Sequence, residues 1–122
     1  MARILVVDDD KGVAKFLERG LTFEGYEVMT CASGDAALMQ VIRETPDLII
    51  LDWMLPGLSG DEVLSRLLET KTKPPVIMLT ARDTPFDKAR ILKSGADIFL
   101  AKPVDFSVLL EHVKNLTTAN QV

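Results

Sequence analysis

Short runs of consecutive apolar residues alternate along this chain with stretches whose apolar positions recur every three or four residues. The runs are Ile4 to Val7, Tyr26 to Cys31, Leu48 to Leu51, Val76 to Leu79 and Ile98 to Leu100. Runs this short, bounded by turn residues and separated by helical periodicity, predict the buried strands of repeated βαβ units. The first intervening stretch sets Val13, Phe16, Leu17, Gly20 and Leu21 at i, i+3, i+4, i+7 and i+8, an inward stripe that stops at Gly25, where a left-handed cap carries no steric penalty. Ser33 is placed to cap a second helix bearing Ala37, Leu38, Val41 and Ile42, and Pro46 bars its extension. A loop with Pro56, Gly57 and Gly60 precedes a third helix marked by Val63, Leu64, Leu67 and Leu68, and Pro75 opens the next strand. Thr84, Pro85 and Asp87 have the chemistry of a helix start, and Gly95 that of its end. Asp105 then caps a final helix with Leu109, Leu110, Val113 and Leu116 inward. Five βα units in succession predict an α/β domain, a parallel sheet sandwiched between two layers of helices.

Length and composition narrow this picture without changing it. At 122 residues, 48% hydrophobic and 26% charged, with no linker or low-complexity tract, the expectation is one folded domain over 1–122 and no output domain within it. A formal net charge of −4 leaves no basic surface with which to neutralise a phosphate backbone, which argues against direct nucleic-acid binding. No apolar run approaches the roughly 18 residues of a membrane span. The single cysteine, Cys31, excludes an internal disulfide, suits a reducing cytoplasm and reads as a small buried apolar residue.

The chemistry gathers where strands end. In an open parallel sheet the residues just past the strand carboxyl ends share one edge, and ligands bind there. Asp8, Asp9 and Asp10 follow the first strand, Asp52 the third, Thr80 the fourth and Lys102 the fifth. Crowded carboxylates repel one another unless a cation intervenes. Mg²⁺ suits such a set, because a hard octahedral ion prefers one or two carboxylates plus waters and phosphate oxygens, and Mn²⁺ can substitute for it. Beside that ion one carboxylate can attack phosphorus, while a lysine ammonium and a threonine hydroxyl hold the phosphoryl oxygens. Each residue also has a plainer reading: acids at a helix start, a strand-end threonine, a solvated lysine.

The segments ILVVDDD at 4–10, LIILDWMLPGLSG at 48–60, VIMLTAR at 76–82 and GADIFLAKPV at 95–104 settle the balance. Taken in order, they resemble the receiver domain of bacterial two-component response regulators over the whole chain. The resemblance implies a flavodoxin-like doubly wound (βα)5 fold with sheet order 2-1-3-4-5, and Asp52 as phosphoacceptor. It implies that Asp9 and Asp52 bind Mg²⁺ directly, that Asp8 acts mainly through water, and that Met54 offers its backbone carbonyl. Asp10 falls outside that set and reads as a helix-start charge. Thr80 and Lys102 become the phosphate-sensing pair, Phe99 the switching aromatic beside Thr80, and the Lys102–Pro103 peptide cis. The implied partners are a sensor histidine kinase or phosphotransfer protein as donor and an output domain or effector protein as recipient, through the face of the fourth helix, fifth strand and fifth helix. The domain is then a phosphoacceptor that assists its own chemistry rather than a dedicated enzyme. Phenylalanine rather than tyrosine at 99 removes a hydroxyl, Val104 stands where many DNA-binding members carry Phe, and the last helix, with Glu111, His112 and Lys114, lacks their basic run. Symmetric dimerisation of that type is therefore not implied. Two other classes stay open on the residues: a docking module that is never phosphorylated, and an aspartate-nucleophile phosphatase, against which Met54 stands where a second acid is required.

Overall fold

The computed structural model describes residues 1–70, 73–81, 89–90 and 93–119. The strands are β1 (Arg3–Val7), β2 (Glu27–Cys31), β3 (Leu48–Asp52), β4 (Val76–Thr80) and β5 (Ile98–Ala101). The helices are α1 (Lys11–Phe23), α2 (Gly34–Arg43), α3 (Gly60–Leu67) and a C-terminal helix (Phe106–Ala119). All strand pairs are parallel, and the order across the sheet is β2-β1-β3-β4-β5, as the resemblance implies. The Thr84, Pro85 and Asp87 helix start lies outside the described residues. Residues 89–90 and 93 are helical, and Gly95 follows with φ 106°.

Strand alternation divides the core in two. Leu5, Val7, Ile49, Leu51, Val76 and Met78 pack on one face against Ala37 and Val41 of α2 and Val63, Leu64 and Leu67 of α3. Ile4, Val6, Leu48, Ile50, Ile77 and Leu79 pack on the other against Leu17 and Leu21 of α1 and Leu109 and Val113 of the C-terminal helix. Each such side chain contributes roughly 1.5–3 kcal/mol by leaving water, which is why uninterrupted apolar runs make the central strands.

Caps set where the helices begin. Asp10 accepts the amides of Gly12 and Val13, Ser33 that of Ala36 and Ser59 that of Glu62. Asp10 is thus a helix-capping acid, and Ser59 is a cap that the loop reading passed over. The Ser107 hydroxyl and the amides of Ser107 and Val108 all donate to the Asp105 carboxylate, which holds it below the ordinary value. Gly25 ends α1 with φ 96°, a conformation that L side chains rarely adopt.

Four positions are less buried than their periodicity predicts. Phe16 is 52% exposed, its ring edge-on to Phe106 at 5.7 Å, because it sits at the seam between α1 and the C-terminal helix rather than beneath α1. Ile42 is 81% exposed on the outer side of α2, and Leu68, the residue that ends α3, is half exposed. Cys31 is half-buried rather than enclosed, since β2 is an edge strand, and burial still pushes its thiol up.

Candidate functional site: an acidic edge with one lysine

The parallel sheet delivers its strand ends to one rim, and the register fixes which residues meet. Val7 pairs with Leu51 across β1 and β3, which brings Asp8 and Asp52 to adjacent strand ends. The carboxylates of Asp8, Asp9 and Asp52 each offer an oxygen within 4.8 Å of the others. A single divalent ion could reach all three, so the donor set is hard, anionic and compact, as Mg²⁺ requires. Zinc is a poor fit, because this cluster holds neither histidine nor thiolate.

The three acids are not equivalent. Asp8 is buried and both its oxygens are engaged: Oδ1 accepts the Asp10 amide at 2.9 Å and Oδ2 accepts the Lys102 ammonium at 2.9 Å. Asp9 is exposed. Asp52 is only 4% exposed; its Oδ1 accepts the Met54 amide at 3.1 Å, and its Oδ2 lies 3.3 Å from Lys102 Nζ. Burial pushes the Asp52 carboxyl above the ordinary carboxylate value, and the Asp8 charge adds to the rise, against the Met54 amide and the Lys102 ammonium. Burial alone lowers an ammonium, yet the hydrogen bond to Asp8 and the charges of Asp52 and Asp8 outweigh it, so Lys102 stays above the usual lysine value. The lysine is therefore a resident counter-ion to two acids. Sequence reasoning placed it at the site but did not foresee its bond to Asp8, since nothing local links residues so far apart in the chain.

The loop after β3 is held close by Gly60. A Cβ there would lie 2.7 Å from the Asp52 carbonyl oxygen and 2.8 Å from Trp53 Cα, so only glycine lets α3 begin against the strand that carries the acid. Trp53 is buried in the α2–α3 side of the core, with the Arg90 guanidinium 6.0 Å from its ring centre and 3.8 Å from Asp61. Arg90 has no counterpart in the strand-end reasoning, because its partners come from another βα unit. Met54, half exposed, lines with Asp9, Trp53 and Arg90 a cleft of about 560 Å³. On the other flank Gly12, Phe16, Lys102 and Pro103 line a second cleft, of about 590 Å³.

Thr80 is fully buried at the end of β4. Phe99 stands opposite Met78 in the β4–β5 register and is half-buried against the α2–α3 side of the core. Strand alternation puts Phe99, Met78 and Thr80 on that side of the sheet. It puts Asp52, the last residue of β3, on the other and, continued one residue past β1 and β5, Asp8 and Lys102 as well. The Lys102–Pro103 peptide is cis.

Comparison with known proteins decides the family. Residues 4–114 match the response regulator receiver domain. The chain belongs to the response regulator receiver domain family. It is 40% identical over 120 residues to the alkaline phosphatase synthesis transcriptional regulatory protein PhoP of Bacillus subtilis, covering 98% of this chain and 50% of that protein. It is 44% identical over 118 residues to the response regulator PleD of Caulobacter vibrioides, covering 95% of this chain and 26% of that protein. The receiver domain of Francisella response regulator 1452 superposes with a TM-score of 0.94 at 33% identity, covering 98% of this chain and 99% of that one. The receiver domain thus spans half or less of the length of these two curated relatives. Phosphorylation-dependent signalling is the role of such domains, and the present one has their fold and strand order. Among its described residues no helix is long and apolar enough to cross a membrane.

Proposed function

We propose that this receiver domain accepts a phosphoryl group on Asp52 from a sensor histidine kinase or phosphotransfer protein and relays the change to an output domain or effector. The observation that carries the proposal is the meeting of Asp8, Asp9 and Asp52 within 4.8 Å, with Lys102 Nζ 3.3 Å from Asp52 Oδ2. Asp9 and Asp52 would hold Mg²⁺, or Mn²⁺ in its place, directly, together with the Met54 carbonyl. Asp8, whose two oxygens already accept hydrogen bonds, would reach the ion through water. The ion's contribution is to neutralise the phosphoryl oxygens as negative charge gathers.

The remaining steps belong to the protein. An Asp52 oxygen attacks phosphorus, the O–P bond forms, and the P–N bond of the phosphohistidine breaks, leaving neutral imidazole once it gains a proton. Lys102 exchanges its contact with Asp52 for one to a phosphoryl oxygen, so its charge is compensated throughout. The Thr80 hydroxyl takes another oxygen. Phe99, half-buried on the same side of the sheet, turns into the space that Thr80 leaves. Lacking a hydroxyl, Phe99 signals by shape alone.

The test is labelling of the 122-residue chain with acetyl phosphate and Mg²⁺. Asp52→Asn should remove the base-labile, hydroxylamine-labile label entirely. Label that persists in the variant places the acceptor elsewhere, and a partner bound equally by both forms without label points to a docking module instead.

A further inference from the structure

The cleft beside Asp9 and Met54 holds a cation that the phosphoryl chemistry does not use. Among the described residues that line it, Arg90 alone is basic, and Asp9 and Asp61 are the acids. Its guanidinium is loosely held. It lies 6.0 Å from the centre of the Trp53 ring and 3.8 Å from Asp61 Oδ2, longer than a hydrogen bond, and its side chain is 59% exposed. A guanidinium carries its N–H donors in a planar fork that matches a carboxylate, so an ion pair this long leaves donors available to an incoming one.

The charge balance of the phosphoryl site says what such a cation can do. The carboxylates of Asp8, Asp9 and Asp52 balance Lys102 and one divalent ion, so no net positive charge is left over. Lys102 is committed, to Asp8 and Asp52 at rest and to a phosphoryl oxygen on the proposed mechanism. A donor whose leaving group departs as neutral imidazole or ammonia needs nothing more. An acyl phosphate differs, because its leaving group departs as a carboxylate and negative charge grows beyond phosphorus, in line with the attacking oxygen. The cleft adjoins the site, since Asp9 belongs both to its lining and to the three-acid cluster, and Met54, whose amide donates to Asp52, lines it too.

We propose that Arg90 is a leaving-group ligand for small acyl phosphates, receiving the departing carboxylate in the Asp9–Met54 cleft and favouring these donors over those whose leaving group is neutral. The inference rests on Asp52 as phosphoacceptor. An Asp52 oxygen forms the new O–P bond, the acyl O–P bond breaks with its electron pair passing to the carboxylate, and no proton moves. The guanidinium turns from Asp61 to that carboxylate. With phosphoramidate the P–N bond breaks instead, the nitrogen leaves as ammonia with the protons it already carries, and Arg90 meets no charge.

The 122-residue chain with Mg²⁺, labelled in parallel by acetyl phosphate and by phosphoramidate, tests this. Arg90→Met should lower the ratio of the acetyl phosphate rate to the phosphoramidate rate about tenfold, less than loss of a buried donor would, because the guanidinium is largely exposed and screened. Arg90→Lys should retain most of the ratio, and Asp61→Asn, which releases the guanidinium, should raise it. Apart from labelling, Trp53, the only tryptophan, reports on the cleft. In EDTA, sodium acetate should change its emission more than sodium chloride at equal ionic strength, and Arg90→Met should abolish the difference. An equal loss with both donors would make Arg90 structural, and an unchanged ratio or an emission blind to acetate would place the carboxylate elsewhere. Each of these overturns the inference and leaves Asp52 the acceptor. A parent chain labelled by neither donor would overturn the acceptor reading and the inference with it.

Discussion

The centre of the sheet and its β5 edge are built differently, and the site takes half of its chemistry from each. Every residue of β3 and β4 is buried, whereas every residue of β5 is half-buried, and β5 pairs with a single neighbour. Asp52 and Thr80 come from the enclosed strands, while Lys102 and Phe99 come from the edge. On the proposed mechanism Asp52, which holds a fixed geometry, thus stands where local unfolding is hardest, and Lys102 and Phe99, which change partners, stand where the packing is thinner. In a domain that binds a charge and then shows a different surface, this division lets one element stay still while the other moves.

A matched pair of substitutions tests the division with the largest expected effect. Ile50 of β3 and Ile98 of β5 pack on the same side of the sheet, the first buried and the second half-buried. Ile50→Ala should cost about 2–5 kcal/mol and Ile98→Ala distinctly less, about 1 kcal/mol, as read from denaturant midpoints. Equal costs would remove the contrast between centre and edge.

Lys102→Met should have the next largest effect. It strips both Asp8 and Asp52 of their counter-ion and should lower stability in EDTA by about 1–3 kcal/mol. Labelling of Asp52 should slow by roughly 10–100-fold, because a phosphoryl oxygen loses its cation. A variant as stable and as readily labelled as the parent would mean that the lysine is merely solvated.

The smallest effect concerns pH. Burial raises the Asp52 carboxyl in the folded state, so the native form favours the protonated acid. Its contribution to stability is fully present below the unfolded value, about 3.9, and is lost as pH rises through the folded value. At neutral pH without metal, Asp52→Asn should therefore raise the melting temperature by a few degrees. That gain should vanish toward acid pH, and it should shrink in Mg²⁺, which stabilises the acidic form by binding to it. A melting temperature lowered by the substitution in EDTA would show that Lys102 already offsets the charge in full.

Much of this was legible in the chain because strand and helix periods are hard to confuse when they alternate. The runs at residues 4–7, 48–51 and 76–79 are strands to within a residue at either end, and Ser33 and Gly25 bound their helices as their chemistry requires. The meeting of Asp8, Asp9, Asp52 and Lys102 was findable because parallel strands send all their ends to one rim. Periodicity failed at Phe16, Ile42 and Leu68, since a stripe shows which way a helix faces but not how far the neighbouring layer reaches over it. The Lys102–Asp8 bond and the Arg90 contact to Trp53 join distant βα units, and no local pattern encodes which strand ends come close enough to touch.

A crystal of the domain soaked with Mn²⁺, with the ion located by its anomalous scattering, puts the account to its most direct test. The peak should fall between the carboxylates of Asp9 and Asp52, with the Met54 carbonyl as a further ligand and water bridging to Asp8. An ion bound elsewhere, or a peak absent while those carboxylates turn apart, would contradict the claim that three acids from separate strand ends are gathered to share one cation.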